Sequence, residues 1–157
     1  MRMLLIEDED PKRNHIISVL TQIEPDAEID LARSARSAVN YLRSRTPDLV
    51  LLDMSLPTFD VSSAEPGGRP QGFGGIEVLR YMDRFNVAVP SIVITAYEAF
   101  AKEGRQIELP TLAEQLARSH PKTFAGLIFY NALIGGWERE LASLIERVRK
   151  PNEDLNR

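Results

Sequence analysis

Short apolar runs alternate along the chain with segments in which apolar residues recur every three or four positions. The first pattern predicts strands, and the second predicts amphipathic helices. The runs that predict strands are Met3–Ile6, Glu28–Ala32, Leu49–Leu52, Ser91–Thr95 and Ala125–Tyr130. The third run is apolar at every position, which is typical of a parallel strand covered on both faces. The pattern therefore predicts an α/β fold with an open parallel sheet and helices on both faces.

Each pair of successive strands is separated by a helical pattern. Pro11 is expected in the first turn of one helix, and Ser34 is a suitable N-cap for the next. The remaining helices are expected around Ile76–Met82, Leu112–Arg118 and Trp137–Arg149. Helices between parallel strands bring the carboxyl ends of all strands to one edge of the sheet, where functional sites of such folds lie.

Two connections between the predicted elements are longer than a minimal strand–helix–strand unit requires. We expect a single domain over residues 1–150 with insertions at about 54–74 and 97–122, followed by a polar tail at 151–157. The first insertion is rich in glycine and proline, which predicts a long loop. The second is expected to hold a helix and an irregular connection.

Composition narrows the class of protein. The chain has 157 residues, of which 43% are hydrophobic and 27% charged, as in soluble globular domains. The absence of cysteine excludes disulfides and thiolate metal sites, and a net charge of −4 argues against direct nucleic-acid binding. We find no apolar run long enough for a membrane span and no signal peptide, so we expect a cytoplasmic protein with no membrane association.

Acidic side chains follow the first and third predicted strands. Glu7 and Asp8 end the first strand, Asp53 ends the third, and Thr95 ends the fourth. Carboxylates gathered at one sheet edge repel unless a cation neutralises them, and a site with oxygen ligands suits Mg²⁺ or Mn²⁺. A carboxylate beside such a cation can also act as a nucleophile toward a phosphoryl group. The alternative is that Glu7 and Asp8 are solvated acids at the start of a helix.

Three segments carry a resemblance to a known family. They are Leu4–Asp8, Leu49–Pro57 and Val93–Tyr97. With these segments the sequence resembles the receiver domain of bacterial two-component response regulators. The resemblance implies a flavodoxin-like (βα)5 fold with strand order 2-1-3-4-5.

The resemblance also assigns roles to residues. Asp53 would accept a phosphoryl group from a histidine kinase or a phosphotransfer protein, or from small phosphodonors. Asp8, Asp53 and the backbone carbonyl of Ser55 would bind Mg²⁺ (or Mn²⁺), and Glu7 would hold it through water. Thr95 would reorient toward the phosphoryl oxygens. The chain would thus be a signalling domain and not a metabolic enzyme.

The sequence departs from the family after the fifth strand. Receivers normally carry a lysine followed by a proline there, whereas this chain has Tyr130 and Asn131. We expect one of these neutral side chains to occupy the place of the lysine and the response to phosphorylation to be weak. Lys122 should lie at the opposite end of the strand, and Lys102 could reach the site only if its insertion folds over it.

Two alternative functions remain open. One is a pseudo-receiver that binds protein partners without using phosphate. The other is a phosphatase with an aspartate nucleophile, although such enzymes need a second acid where Ser55 stands.

The expected output is a contact with a downstream protein. No DNA-binding effector follows the last helix, so we expect either action through protein partners or a chain that is part of a longer protein. The face formed by the fifth strand and last helix should be apolar because it contains Ala132, Leu133, Ile134 and Trp137. Trp137 could be an interface anchor on this face or a residue at the edge of the core. We expect self-association or partner binding through this face.

Overall fold

The structure is a computed structural model that describes residues 1–60, 74–96, 99–102 and 105–150, with the backbone alone for 99–102 and 105–106. The strands are β1 (Arg2–Ile6), β2 (Glu28–Ala32), β3 (Leu49–Leu52), β4 (Ser91–Thr95), β5 (Ala99–Lys102), β6 (Arg105–Glu108) and β7 (Phe124–Phe129). The helices are α1 (Asp10–Ile23), α2 (Ala35–Ser44), α3 (Gly74–Arg84), α4 (Leu109–Ser119) and α5 (Trp137–Arg149).

The main sheet has five parallel strands in the order β2-β1-β3-β4-β7. Because β7 is the fifth strand of this sheet, the order is the one that the family resemblance implied. The flavodoxin-like fold class is confirmed. Among the described residues, no helix has both the length and the apolar character that crossing a membrane requires.

The strands β5 and β6 form a separate antiparallel hairpin directly before α4. We expected an irregular connection in this part of the chain, and for these residues the prediction was wrong. Each strand of the hairpin has four residues. Each strand contains a single large apolar residue, Phe100 or Ile107, so neither shows the continuous apolar run by which the equally short β3 was recognised.

Apolar side chains fill the space on both faces of the main sheet. Helices α1 and α5 cover one face, and α2, α3 and α4 cover the other. The strands β1, β3 and β4 lie in the middle of the sheet, and all residues of β3 and β4 are buried. This burial on both faces explains why β3 is apolar throughout its length.

The chain that follows β3 is anchored to the start of α2. Ser34 is the N-cap of α2, as predicted, and its hydroxyl accepts a hydrogen bond from the Ser37 amide at 3.1 Å. The free amides of Ala35 and Arg36 donate to the carbonyls of Pro57 and Thr58 at 3.1 and 3.0 Å. The loop after β3 therefore satisfies helix amides that would otherwise lack partners.

The helix α3 begins in close contact with the same loop. The Gly75 amide donates to the Met54 carbonyl at 2.9 Å. A Cβ at position 75 would lie 2.5 Å from the Asp53 carbonyl oxygen and 2.9 Å from Met54 Cα. Both neighbours are backbone atoms, so a larger residue could be accommodated only if the loop moved.

We predict that Gly75→Ala lowers the free energy of unfolding by about 1–3 kcal/mol, since it forces a shift of packed backbone. Urea denaturation followed by circular dichroism measures the change. Gly135→Ala is the matched control because the nearest atom to its new Cβ would be 3.9 Å away. Equal midpoints for the two variants would contradict the close packing of Gly75 against the loop.

Candidate functional site

The register of the three central strands places their carboxyl ends side by side. Leu52 pairs with Ile6 of β1 and with Val93 of β4. The residues that come next in each strand are therefore neighbours, and the Asp53 amide donates to the Ile6 carbonyl at 3.1 Å. The site lies at the edge of the sheet that the sequence predicted.

Three predicted acidic residues meet at this edge. Glu7, Asp8 and Asp53 each offer a carboxylate oxygen, and these oxygens lie within 4.8 Å of one another. Glu7 is 1% exposed and Asp53 5% exposed, whereas Asp8 is half-buried. The alternative interpretation of Glu7 as a solvated acid is therefore wrong.

Of the two other predicted site residues, Ser55 lies in the loop after β3 and Thr95 lies at the end of β4. Ser55 is buried, and its hydroxyl donates to Asp53 Oδ2 at 3.1 Å. Thr95 is fully buried at the end of β4, and its carbonyl accepts a hydrogen bond from the Tyr130 amide at 2.7 Å. The roles of the Ser55 carbonyl as a metal ligand and of the Thr95 hydroxyl as a phosphoryl contact stay predictions.

The structure adds Lys12 of α1, a residue that the sequence interpretation missed. Its Nζ lies 2.7 Å from Glu7 Oε2 and 3.4 Å from Asp53 Oδ1, and it donates to the Ile94 carbonyl at 2.8 Å. The side chain is 2% exposed. Lys12 is thus a buried cation inside the acidic cluster.

A signal for Lys12 was present in the sequence. Side chains on a helix lean toward its N-terminus, and Lys12 lies about one turn beyond the acidic pair at the start of α1. Its ammonium could therefore be expected to point back toward Glu7. The neighbouring Arg13 is also buried, and its guanidinium contacts Asp10 and donates to the Glu7 carbonyl at 3.4 Å.

The two oxygens of the Asp53 carboxylate have different surroundings. Oδ2 accepts the hydrogen bond from Ser55, whereas Oδ1 is buried without a hydrogen bond among the described residues. The 3.4 Å ion-pair contact with Lys12 is made by Oδ1. A buried carboxylate oxygen without a hydrogen bond is costly, so this oxygen favours a cation or an electrophile as its partner.

Neither Tyr130 nor Asn131 takes the place of the lysine. The Tyr130 hydroxyl lies 2.8 Å from His15 Nδ1, and its ring centroid lies 5.8 Å from Lys12 Nζ. The Asn131 side-chain oxygen accepts hydrogen bonds from two amides of its own loop. These contacts direct both neutral side chains away from Asp53, contrary to our prediction, and the cation that contacts Asp53 is Lys12 of α1. The expected weak response to phosphorylation stays a prediction.

The two lysines considered from the sequence do not change this conclusion. Lys122 is exposed and precedes β7, at the end of the strand opposite to the site. The side chain of Lys102 lies outside the described part of the chain.

Trp137 is not an exposed contact residue. It is 3% exposed and packs at ring-centroid distances of 5.0 Å on both His15 and Tyr130. Our interpretation of Trp137 as part of an exposed apolar face was wrong, because the start of α5 turns its side chain into the core. Leu133 and Ile134 are 94% and 68% exposed, so the apolar surface near β7 consists of these loop residues.

Burial determines the protonation of the acidic cluster. Burial raises the pKa of Glu7 to about 7, with the Lys12 charge opposing the shift and the Asp53 charge adding to it. Burial also raises the pKa of Asp8 above its usual value, with Asp53 contributing. Glu7 and Asp8 therefore bind protons more readily than exposed carboxylates do, because burial disfavours their charged forms.

The donor set fits a hard divalent cation. Carboxylate oxygens from Glu7, Asp8 and Asp53 converge, and one Asp53 oxygen lacks a hydrogen bond. Oxygen ligands of this kind favour Mg²⁺ over metals that prefer nitrogen or sulfur.

Residues 3–110 match the family of response regulator receiver domains, and the chain belongs to this family. Receiver domains are signalling domains of two-component systems, and they generally bind Mg²⁺ at an acidic pocket.

Relatives cover most of the chain. It is 24% identical over 140 residues to the uncharacterized protein y4jR of Sinorhizobium fredii, covering 88% of this chain and 92% of that protein. It is also 24% identical over 149 residues to the Detocs response regulatory protein DtcB of Enterobacter cloacae, covering 92% of this chain and 98% of DtcB. The receiver domain of HemR from Leptospira biflexa has a similar structure, with a TM-score of 0.62, 20% identity and coverage of 97% and 96% of the two chains.

We predict that the metal-free protein becomes less stable as pH rises toward about 7. The pKa of Glu7 is raised in the folded state, so folding takes up a proton between pH 4.5 and about 7. Stability from this proton is complete below the unfolded pKa and is lost as pH rises through the folded pKa. The slope for one group is at most about 1.4 kcal/mol per pH unit.

Urea denaturation in EDTA from pH 5 to 8 measures this slope. Glu7→Gln should flatten the profile relative to wild type, whereas Glu114→Gln, a change at an exposed acid, should leave it unaltered. Parallel profiles for wild type and Glu7→Gln would contradict the raised pKa.

Proposed function

We propose that this chain is a phosphorelay receiver in which Asp53 accepts the phosphoryl group. The observation that carries the proposal is the buried Asp53 Oδ1, which has no hydrogen bond and lies in an acidic cluster at the carboxyl edge of the sheet. Membership in the receiver family supports phosphorelay signalling in general.

The proposed reaction is a nucleophilic displacement at phosphorus. An oxygen of the ionised Asp53 carboxylate attacks the phosphorus of a phosphohistidine, a new O–P bond forms, and the P–N bond breaks. The electron pair of the broken bond remains on the imidazole nitrogen. The product is an acyl phosphate on Asp53.

The remaining residues hold and shape this site. Asp8, Asp53 and the Ser55 carbonyl would bind Mg²⁺, and Glu7 would do so through water. The bound ion would offset negative charge on the phosphoryl oxygens. The Ser55 hydroxyl keeps Asp53 Oδ2 in a hydrogen bond and thereby orients the carboxylate. Thr95, buried at the end of β4, would contact the phosphoryl oxygens and pass the change to the neighbouring strand.

We predict that wild type gains the mass of one phosphoryl group when it is incubated with Mg²⁺ and acetyl phosphate, and that Asp53→Asn does not. Intact-mass spectrometry measures the gain. Asp26→Asn is the matched control because it changes an exposed aspartate far along the chain from the cluster. Calorimetric titration with Mg²⁺ should be run on the same samples.

A protein that binds Mg²⁺ but gains no mass would contradict phosphoryl transfer to Asp53. The pseudo-receiver, which binds partners without phosphate, would then replace this proposal. Continuous release of phosphate from an aryl phosphate would instead favour the phosphatase.

The proposed partners are a histidine kinase or phosphotransfer protein upstream and a protein downstream. Similarity to a response regulatory protein supports a regulatory output. Self-association near β7 and α5 is also proposed, and its contact would be made by Leu133 and Ile134, which are exposed, and not by the buried Trp137.

We predict that replacing both Leu133 and Ile134 by serine shifts any dimer toward monomer without loss of stability, because both side chains are exposed. Light scattering after size exclusion measures the mass, with and without beryllofluoride. Phe85→Ser, at another exposed apolar residue, is the control. A wild type that stays monomeric in both conditions would contradict self-association.

A further inference from the structure

We propose that Lys12 is the cation that contacts the phosphoryl group on Asp53, and that α1 therefore supplies the charge which the chain lacks after β7. This inference rests on the proposed phosphorylation of Asp53. Its position in α1 predicts a side chain that points toward Glu7, but not a contact with a phosphoryl group on Asp53.

Geometry singles out Lys12 for this task. Among the described residues, its Nζ is the lysine or arginine nitrogen that forms an ion pair with Asp53, at 3.4 Å from Oδ1. That oxygen has no hydrogen bond, so it is free of competing donors within the described structure. The nearby Arg13 points elsewhere, because its guanidinium contacts Asp10 and the Glu7 carbonyl.

The charge of the phosphorylated site explains why a cation is needed beside Asp53. An acyl phosphate on Asp53 adds negative charge at a position where the side chain is 6% exposed and water can screen little of it. A charge-assisted hydrogen bond from an ammonium is about twice as strong as a neutral one. Tyr130 could offer a neutral hydroxyl at most, and this hydroxyl already lies within hydrogen-bond distance of His15.

The contacts of Lys12 also indicate what changes on phosphorylation. Its ammonium lies closer to Glu7 than to Asp53, at 2.7 Å against 3.4 Å. A phosphoryl group would attract it away from Glu7, and a lysine stem is flexible enough for this movement. Because the same ammonium donates to the Ile94 carbonyl, its movement would disturb β4 next to Thr95.

Substitutions of Lys12 test the inference. Lys12→Met removes the charge and keeps a long apolar stem, Lys12→Arg keeps the charge, and Lys122→Met removes an exposed lysine at the opposite sheet edge as a control. Each protein is titrated with Mg²⁺ by calorimetry and with beryllofluoride, a phosphoryl mimic, in excess Mg²⁺. The rate of mass gain from acetyl phosphate is measured on the same samples, and circular dichroism in Mg²⁺ checks folding.

We expect Lys12→Met to bind Mg²⁺ at least as tightly as wild type, because a competing cation has been removed from Glu7. Its affinity for beryllofluoride and its rate of mass gain should both fall about tenfold or more. Lys12→Arg should recover part of both losses, and Lys122→Met should match wild type.

Several outcomes would overturn the inference. Wild type gains phosphoryl mass in the first such outcome, and Lys12→Met matches it within about twofold in both the rate of mass gain and the affinity for beryllofluoride. Lys12 then has no such role, and the proposed function stands. If wild type gains no mass and binds no beryllofluoride, both proposals fail. If a folded Lys12→Met binds neither Mg²⁺ nor beryllofluoride, Lys12 has a purely structural role.

A measurement on wild type covers the case in which Lys12→Met does not fold. The ¹⁵Nζ and ¹³Cε resonances of the lysines are followed by NMR during addition of beryllofluoride in Mg²⁺. The Lys12 signals should move and the Lys122 signals should stay. A Lys12 resonance that is unchanged at saturating beryllofluoride would overturn the inference.

Discussion

The buried contact between the Lys12 ammonium and the acidic cluster is the interaction on which the site depends. Glu7, Asp8 and Asp53 are brought within 4.8 Å by the parallel register of β1 and β3, and two of them are almost fully buried. Carboxylates this close in an interior of low polarity cannot all stay ionised without a positive partner. Lys12 provides that partner from within the chain, and its charge opposes the rise that burial causes in the pKa of Glu7.

Because the cation beside Asp53 comes from α1, the residues that follow β7 make other contacts. Tyr130 follows β7 and is tied to β4 through its amide, while its hydroxyl is directed to His15 of α1. Trp137 packs on the same two rings at the start of α5. An aromatic cluster thus joins α1, β7 and α5 beside the ammonium. Lys12 Nζ lies 5.8 Å from the Tyr130 ring centroid, and the exposed residues Leu133 and Ile134 lie in the loop between Tyr130 and Trp137.

The other side of the site is held by backbone contacts. The loop after β3 carries Asp53 and Ser55, and its carbonyls at Pro57 and Thr58 accept hydrogen bonds from the first amides of α2. Gly75 lets α3 approach the backbone of the same loop. These contacts fix the segment that carries Asp53 between two helices, so the Asp53 carboxylate is oriented before any ligand binds. Such preorganisation is what a charge-dependent site requires.

The pattern of apolar runs determined the parallel sheet, the bounds of α5 and the edge at which Glu7, Asp8 and Asp53 meet, because strand periodicity and parallel connection leave few arrangements. The position of Lys12 on α1 pointed toward Glu7, but tertiary structure decided that its ammonium also contacts Asp53. Lys12 reaches Asp53 across 41 residues of sequence, and its pairing depends on how α1 packs on the sheet. The burial of Trp137 and the short β5–β6 hairpin were decided in the same way. The partners of a helix residue and the pairing of two four-residue strands depend on three-dimensional contacts. Local periodicity in the sequence does not encode these contacts.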